Sequence, residues 1–349
     1  MTVSVLKPGL LSSFQDLGRL GYQHQGIPAA GAMDPRAHRL ASLLAGNDPA
    51  RTASLEITLR GPTLRFDRAA CFALGGASLG AALNGKPLPT NRPLLARAGD
   101  ILAFETRVDT SAGDALPAGA SPGLRAYLAV HGGFDLPRVM GSESTYLRSG
   151  FGGYQGRALA KGDTVALRAC LETERLDELE DALWDTRVYL PSTLAAQSRG
   201  SVRAMPGRQW ADFTAAARDA FAGDAFLVTP QSERMGYRLS GPALAMAAPR
   251  QMLSEATCFG TVQVPADGAP IVLMADRQTT GGYPKIAQVA SIDLPLLAQT
   301  APGSTIRFAM ITLEDAQRLD GERETAFDRL AMALAPLRAL YARHTAELN

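Results

Sequence analysis

Cysteine and histidine are scarce in this 349-residue chain, which has three of the former, Cys71, Cys170 and Cys258, and four of the latter, His24, His38, His131 and His344. An odd and widely spaced cysteine set offers neither a disulfide framework nor a zinc knuckle, so the thiols are expected as buried small hydrophobes. No two histidines stand at a metal-ligand spacing such as H-x-x-x-H, and no metal is assigned. An excess of one charge is also missing: 35 basic against 34 acidic side chains leave a formal net charge of +1. That balance gives no electrostatic footprint for nucleic acid or for a membrane surface. Charged, Gly or Pro residues interrupt every apolar run before the ~18 residues that a membrane span needs. The opening residues, Met1 to Pro8, lack the basic and apolar regions of a signal peptide, and the chain is read as cytoplasmic. The Gly-rich stretch Gly150 to Gly156 has no G-K-[ST] ending, so it is not a P-loop.

What is present in quantity is Gly and Pro, 34 and 22 residues, which punctuate short runs of Val, Ile, Leu and Thr. That pattern predicts many strands and turns. Strands are expected over 54–59, 70–74, 101–105, 125–130, 164–168, 225–229, 260–264, 271–274 and 305–311. Asn84-Gly85 predicts a tight hairpin, because both residues tolerate positive φ. Helices are fewer. Asp34-Pro35 reads as an N-cap followed by the first helical residue, and Gly46 follows the end. The charged stretch Leu171 to Trp184 reads as an exposed helix or linker. Thr312 with Asp315 forms a capping box for a C-terminal helix, expected to break at Gly321 and Pro336. The hexapeptide Leu59-Arg60-Gly61-Pro62-Thr63-Leu64 returns as Leu239-Ser240-Gly241-Pro242-Ala243-Leu244. With recurring Gly-Asp turns, this echo predicts a mainly β protein with peripheral helices, built as two β-barrel lobes over residues 1–185 and 186–349.

Three polar clusters are candidates for chemistry. The first follows the apolar run Ile271 to Ala275 and reads Asp276, Arg277, Gln278, Thr279, Thr280, Gly281, Gly282, Tyr283, Pro284, Lys285. An acid, two cations, an amide and hydroxyls at a strand end, beside glycines that admit close approach, form a candidate pocket open to solvent or to a neighbouring protein. Asp276 would handle a proton or orient water, and Arg277 and Lys285 would meet phosphate or carboxylate. The plainer alternative is a solvated turn in which Asp276 accepts from the Thr279 and Thr280 amides. The second cluster holds Gln15, Asp16 and Arg19 in a long Gly-rich loop; Asp16 and Arg19, three apart, also suit a simple ion pair. In the third, Ser232, Glu233 and Arg234 form an expected exposed tip, with Tyr237 and Leu239 alternating inward and Arg238 outward.

Five ordered stretches, Lys7 to Arg19, Gly31 to Pro35, Glu56 to Pro62, Ser232 to Leu239 and Asp276 to Lys285, together resemble the KipA family. That family is also called allophanate hydrolase subunit 2, the biotin-dependent carboxyltransferase family, or the C subunit of 5-oxoprolinase. The resemblance spans about residues 3 to 310 and implies cyclophilin-like barrels. It implies one component of an ATP-dependent 5-oxoprolinase, which opens 5-oxo-L-proline to glutamate together with a KipI-like protein, the B subunit, and with a third protein, the A subunit. Asp276, Arg277 and Lys285 would be catalytic there. Gln278, Thr279, Thr280, Gly281, Gly282, Tyr283, Gln15, Asp16, Arg19, Ser232 and Arg234 would bind substrate or nucleotide. It leaves open half of a carboxyltransferase fed by biotin on another protein, or a regulatory partner of a KipI-like kinase inhibitor.

Overall fold

The computed structural model describes residues 2–104, 123–195, 200–248 and 252–346. Glu105, read as the end of one strand, lies outside the described residues. The first strands are β1 (Thr2–Lys7), β2 (Leu11–Gln15), β3 (Ser54–Thr58), β4 (Thr63–Phe66), β5 (Ala70–Gly76), β6 (Ala81–Leu83), β7 (Lys86–Pro87), β8 (Pro93–Ala96), β9 (Ile101–Phe104), β10 (Arg125–Val130) and β11 (Thr164–Ala166), with helix α1 (Pro35–Leu44) after β2. Helix α2 (Leu176–Asp185) precedes β12 (Val202–Pro206), α3 (Ala215–Gly223), β13 (Ala225–Val228), β14 (Gly236–Ser240), β15 (Glu255–Ala256), β16 (Thr261–Gln263), β17 (Ile271–Leu273), β18 (Thr280–Gly281) and β19 (Lys285–Val289). Helix α4 (Leu294–Ala298), strand β20 (Thr305–Met310) and helices α5 (Leu313–Ala333) and α6 (Ala335–His344) complete the order. The chain is therefore mainly β with peripheral helices. Among the described residues, no helix is long and apolar enough to cross a membrane.

The chain gathers into two compact units that are not consecutive stretches. One takes Met1–Gly18, Asp34–Ala196 and Ala326–Asn349; the other takes Arg19–Met33 and Gln197–Thr325.

In the first unit a six-stranded sheet, β11-β1-β4-β9-β6-β7, and a five-stranded sheet, β2-β3-β10-β5-β8, enclose a core. The two-residue period decides which side chains enter it. Val3 and Val5 of β1 are buried there with Phe14, Leu55, Phe66, Phe72 and Leu128, whereas the intervening Thr2 and Ser4 donate to the Asp67 carboxylate. Helix α1 packs against β3, β5 and β10. Its start follows the sequence: Asp34 accepts from the Ala37 N–H at 2.9 Å, and Pro35 takes the first turn, where no N–H is required. Several buried polar side chains of this region are paired: Tyr127 donates to Glu56 at 2.7 Å and accepts from the Asp34 N–H at 2.8 Å, while the His38 ring bridges Ser54 and the Pro49 carbonyl. The hairpin at Asn84-Gly85 has φ of 50° and 78°, as its residue types require.

In the second unit seven strands close into a barrel in the order β12-β19-β16-β17-β14-β13-β20. Its pairs are antiparallel except β12 with β20. A barrel this narrow is filled by its own side chains. Phe226, Val228, Tyr237, Leu239, Val262, Val272 and Ile286 belong to that core, and Phe221 of α3 stacks on Phe308 at 4.4 Å between ring centroids. Strand β14 alternates as its sequence predicts, with Tyr237 and Leu239 inward and Arg238 outward. A short ribbon, β15 with β18, stands apart from the barrel sheet.

Two local expectations are corrected. Gly321 does not break the C-terminal helix: α5 runs through it and the interruption comes at Leu334, ahead of Pro336. A glycine costs a helix only about 1 kcal/mol against alanine, whereas proline removes a hydrogen bond and clashes with the preceding turn. Of the three thiols expected to be buried only Cys71 is; Cys170 is half-buried, and Cys258 is exposed because it sits on the turn that leads from β15 into β16.

Candidate active site

Beyond the end of β17 the buried Met274 and Ala275 lead into a turn that carries Asp276. There the carboxylate turns inward and is 4% exposed. Arg234, just ahead of β14, donates from Nε to Oδ2 and from Nη2 to Oδ1, each at 2.9 Å, and its Nη2 also donates to the Gly31 carbonyl at 2.6 Å. The backbone repeats the link, with the Asp276 N–H donating to the Arg234 carbonyl at 2.9 Å. Two sequence expectations change here. Arg234 is not at an exposed tip, and Asp276 is neither open to solvent nor an acceptor from Thr279 and Thr280. The reason is general: a planar guanidinium fork matches a carboxylate, and charges withdrawn from water are paired.

The remainder of the 276–285 segment divides between scaffold and surface. The Arg277 guanidinium is half-buried beside the Phe259 ring, 5.9 Å from its centroid, and burial lowers its pKa. Its Nε has no hydrogen-bond partner among the described residues. The Gln278 carbonyl accepts from the Thr257 hydroxyl and the Thr279 carbonyl from the Thr257 N–H, while Thr280 and Gly281 pair with Ala256 and Glu255. Lys285 opens β19 with its backbone held by Gln209 and its ammonium 3.0 Å from Glu255 Oε2. The Lys285 hydrogen bond holds the Glu255 carboxyl below its usual range, with Arg208 adding to the pull from 3.3 Å. Lys285 is therefore buried and paired, which also corrects the expectation of an open cation.

What does face open space is a cleft of about 690 Å³ on the second unit. Gln278 and Tyr283 from the segment line it, together with Glu233, Arg238, Gln263 and Asp267. Its size is that of a small-molecule site. Ser232 closes the neighbouring turn, its hydroxyl accepting from the Arg238 N–H at 3.1 Å. Gln263 and Asp267 do not figure among the residues that the sequence singles out. The available signal for Gln263 was a single amide beside Thr261, Val262 and Val264, all buried.

The N-terminal candidates have scaffold partners. Asp16, in the first unit, accepts from the Gly18 and Glu143 N–H groups and from the Ser142 and Ser144 hydroxyls. Gln15 donates to the Ser13 hydroxyl and the Thr145 carbonyl. Arg19, in the second unit, is buried, and its N–H donates to the Ala29 carbonyl at 2.8 Å. One further motif, Gly76-Ala77-Ser78-Leu79-Gly80, matches G-x-S-x-G. It leads from β5 into another strand, β6, and lacks the following helix that a nucleophile elbow requires.

Residues 25–310 match the family of carboxyltransferase domains comprising subdomains A and B. The chain is 38% identical over 336 residues to the C subunit of 5-oxoprolinase from Escherichia coli K12, covering 95% of this chain and 98% of that protein. Against urea amidolyase of Saccharomyces cerevisiae the identity is 28% over 338 residues, covering 94% of this chain but 18% of the longer protein. The crystal structure of the Kluyveromyces lactis urea carboxylase matches with a TM-score of 0.81 at 28% identity, over 94% of this chain and 29% of that one.

Proposed function

Because the chain belongs to the family of carboxyltransferase domains with subdomains A and B, we propose that it works as the C subunit of a 5-oxoprolinase. In that reading it acts in the cytoplasm with a KipI-like B subunit and an A subunit, and the complex opens 5-oxo-L-proline to L-glutamate at the expense of ATP. The observation that carries the reading is the end-to-end correspondence with one stand-alone 5-oxoprolinase subunit, 95% of one chain against 98% of the other.

The cleft supports a division of labour within the complex. It is lined by two carboxylates, Glu233 and Asp267, against the guanidinium of Arg238, and by the amides of Gln231, Gln263 and Gln278. That donor set suits a small polar ligand; it does not fit a triphosphate, which calls for a surplus of cations and backbone N–H groups. Lys285 and Arg234, the buried cations nearby, already hold carboxylates. ATP is accordingly assigned to one of the partner proteins, and no step is routed through it here. Within this chain, Gln278 and Tyr283 meet the substrate, and the Arg234–Asp276 pair fixes the strand end that carries them.

The test is co-expression with the two partners, the KipI-like protein and the A subunit, followed by ATP-dependent glutamate release from 5-oxo-L-proline. An assembled complex that releases none sinks the reading. The match to a urea carboxylase structure favours a second reading, half of a carboxyltransferase fed by biotin on another protein. Carboxyl transfer from carboxybiotin to urea by the same complex, without lactam opening, would establish that one instead.

A further inference from the structure

Gln263 is the most unusual group in the cleft. It lies at the end of β16 in the barrel wall, is 4% exposed, and its Oε1 has no hydrogen-bond partner among the described residues. An amide oxygen buried without a donor is unfavourable, so its presence in a cleft wall asks for a donor that arrives with a ligand.

Gly281 borders that oxygen. A Cβ built on Gly281 would lie 3.2 Å from Gln263 Oε1 and 3.5 Å from Gln278 Nε2. Gly281 is absent from the glycines with positive φ, so its backbone does not demand glycine. A methyl there would press on the Gln263 amide oxygen, on the Thr257 methyl at 3.3 Å and on the Gln278 amide nitrogen, so the glycine leaves both amides unobstructed.

We infer that Gln263 Oε1 and Gln278 Nε2 form a two-point reader for the edge of a cyclic cis-amide. A ring holds its amide cis, which places N–H and C=O on the same edge; the N–H then donates to Gln263 and the C=O accepts from Gln278. An open-chain trans amide places these groups on opposite edges and cannot meet both. This deepens the lactam-opening reading and rests on it, since the edge chemistry is shared by a lactam substrate and by the ureido ring of biotin. Gln263 and Gln278 are ligand-positioning residues in this scheme, and Gly281 is the residue that keeps their shared space open.

The test is calorimetric titration of the full chain with 5-oxo-L-proline, its N-methyl derivative and biotin. It uses wild type, Gln263→Leu, Gln263→Glu, Gln278→Leu and Gly281→Ala, each checked for folding by circular dichroism. The wild type should prefer the N–H lactam over the N-methyl form by about tenfold, the size of one lost hydrogen bond with a group left buried and unpaired. Gln263→Leu should erase that preference, and Gln263→Glu, which keeps an acceptor, should retain it. Gln278→Leu should weaken both lactams, and Gly281→Ala should reproduce the loss by filling the space, so a single misfolded variant leaves the inference open to test. A wild type that treats the N–H and N-methyl lactams alike and ignores biotin overturns the inference, as does a folded Gln263→Leu that keeps the preference. Biotin binding without lactam binding supports the edge reader and moves the chain to the carboxyltransferase reading. Lactam binding intact in a complex that turns nothing over sinks the oxoprolinase reading and leaves the edge reader standing.

Discussion

Arg234 and Asp276 meet through two parallel hydrogen bonds, both 2.9 Å long, 42 positions apart in the chain and withdrawn from solvent. Asp276→Ala removes the carboxylate that accepts two hydrogen bonds from the buried Arg234 guanidinium, while the bond from Nη2 to the Gly31 carbonyl stays. The expected cost is about 3–5 kcal/mol, the range for breaking one half of a buried pair. Urea unfolding measures it. If Asp276→Ala keeps wild-type stability while the reconstituted complex loses turnover, Asp276 acts on the reaction and is not an anchor.

The repeated hexapeptide makes a paired prediction. A Cβ on Gly61 would come within 2.6 Å of Phe104, and one on Gly241 within 2.7 Å of Phe226. Alanine at either position forces an aromatic side chain of the local core to move, at about 1–3 kcal/mol each. Thermal unfolding of Gly61→Ala and Gly241→Ala should show comparable losses. A neutral result at either glycine would mean that its ring gives way freely.

Acid should weaken the fold through buried imidazoles. Burial lowers the pKa of His38 below 6.5, and burial lowers that of His131 as well. Above 6.5 both folded and unfolded chains carry these rings neutral, so they leave stability unchanged. Below it the unfolded chain takes up protons that the folded chain resists, and stability declines as the pH falls. Melting temperature should therefore drop as the pH falls below about 6.5, and by less in His38→Gln. An equal drop in the variant would remove His38 from the account.

The three thiols should separate by reactivity. Cys258 is exposed, Cys170 intermediate, and Cys71 buried with its pKa pushed far up by desolvation. A disulfide reagent on the native protein should label Cys258 first, and Cys71 only on unfolding. Mass spectrometry of the labelled peptides reads the order.

Features decided within a few residues could be read from the sequence. The Asp34 cap, the Asn84-Gly85 turn and the reciprocal bonds of Thr312 and Asp315 each answer to local geometry, and each is found. The inward turn of Tyr237 and Leu239 follows from the period of two. The site was less legible, because its decisive contacts join distant positions. Nothing near Arg234 in the chain announces Asp276 as its partner, and a Ser-Glu-Arg sequence reads as a solvated tip until the barrel brings β14 against β17. Gln263 was missed for the complementary reason. Two-residue alternation sorts side chains into inside and outside, and it does not reveal that an outward face is roofed by a glycine ribbon.

Helix α6 completes the first unit from the far end of the chain. Its Tyr341 hydroxyl donates to the Leu44 carbonyl at 2.9 Å, and its ring lies against His131, 4.6 Å between centroids. During synthesis, residues 34–196 must therefore wait for the whole intervening barrel to emerge from the ribosome before this plug arrives. The order of translation and the order of completion are inverted, and a nascent chain halted after β20 would hold a complete set of barrel strands while the first unit still lacked its last helix.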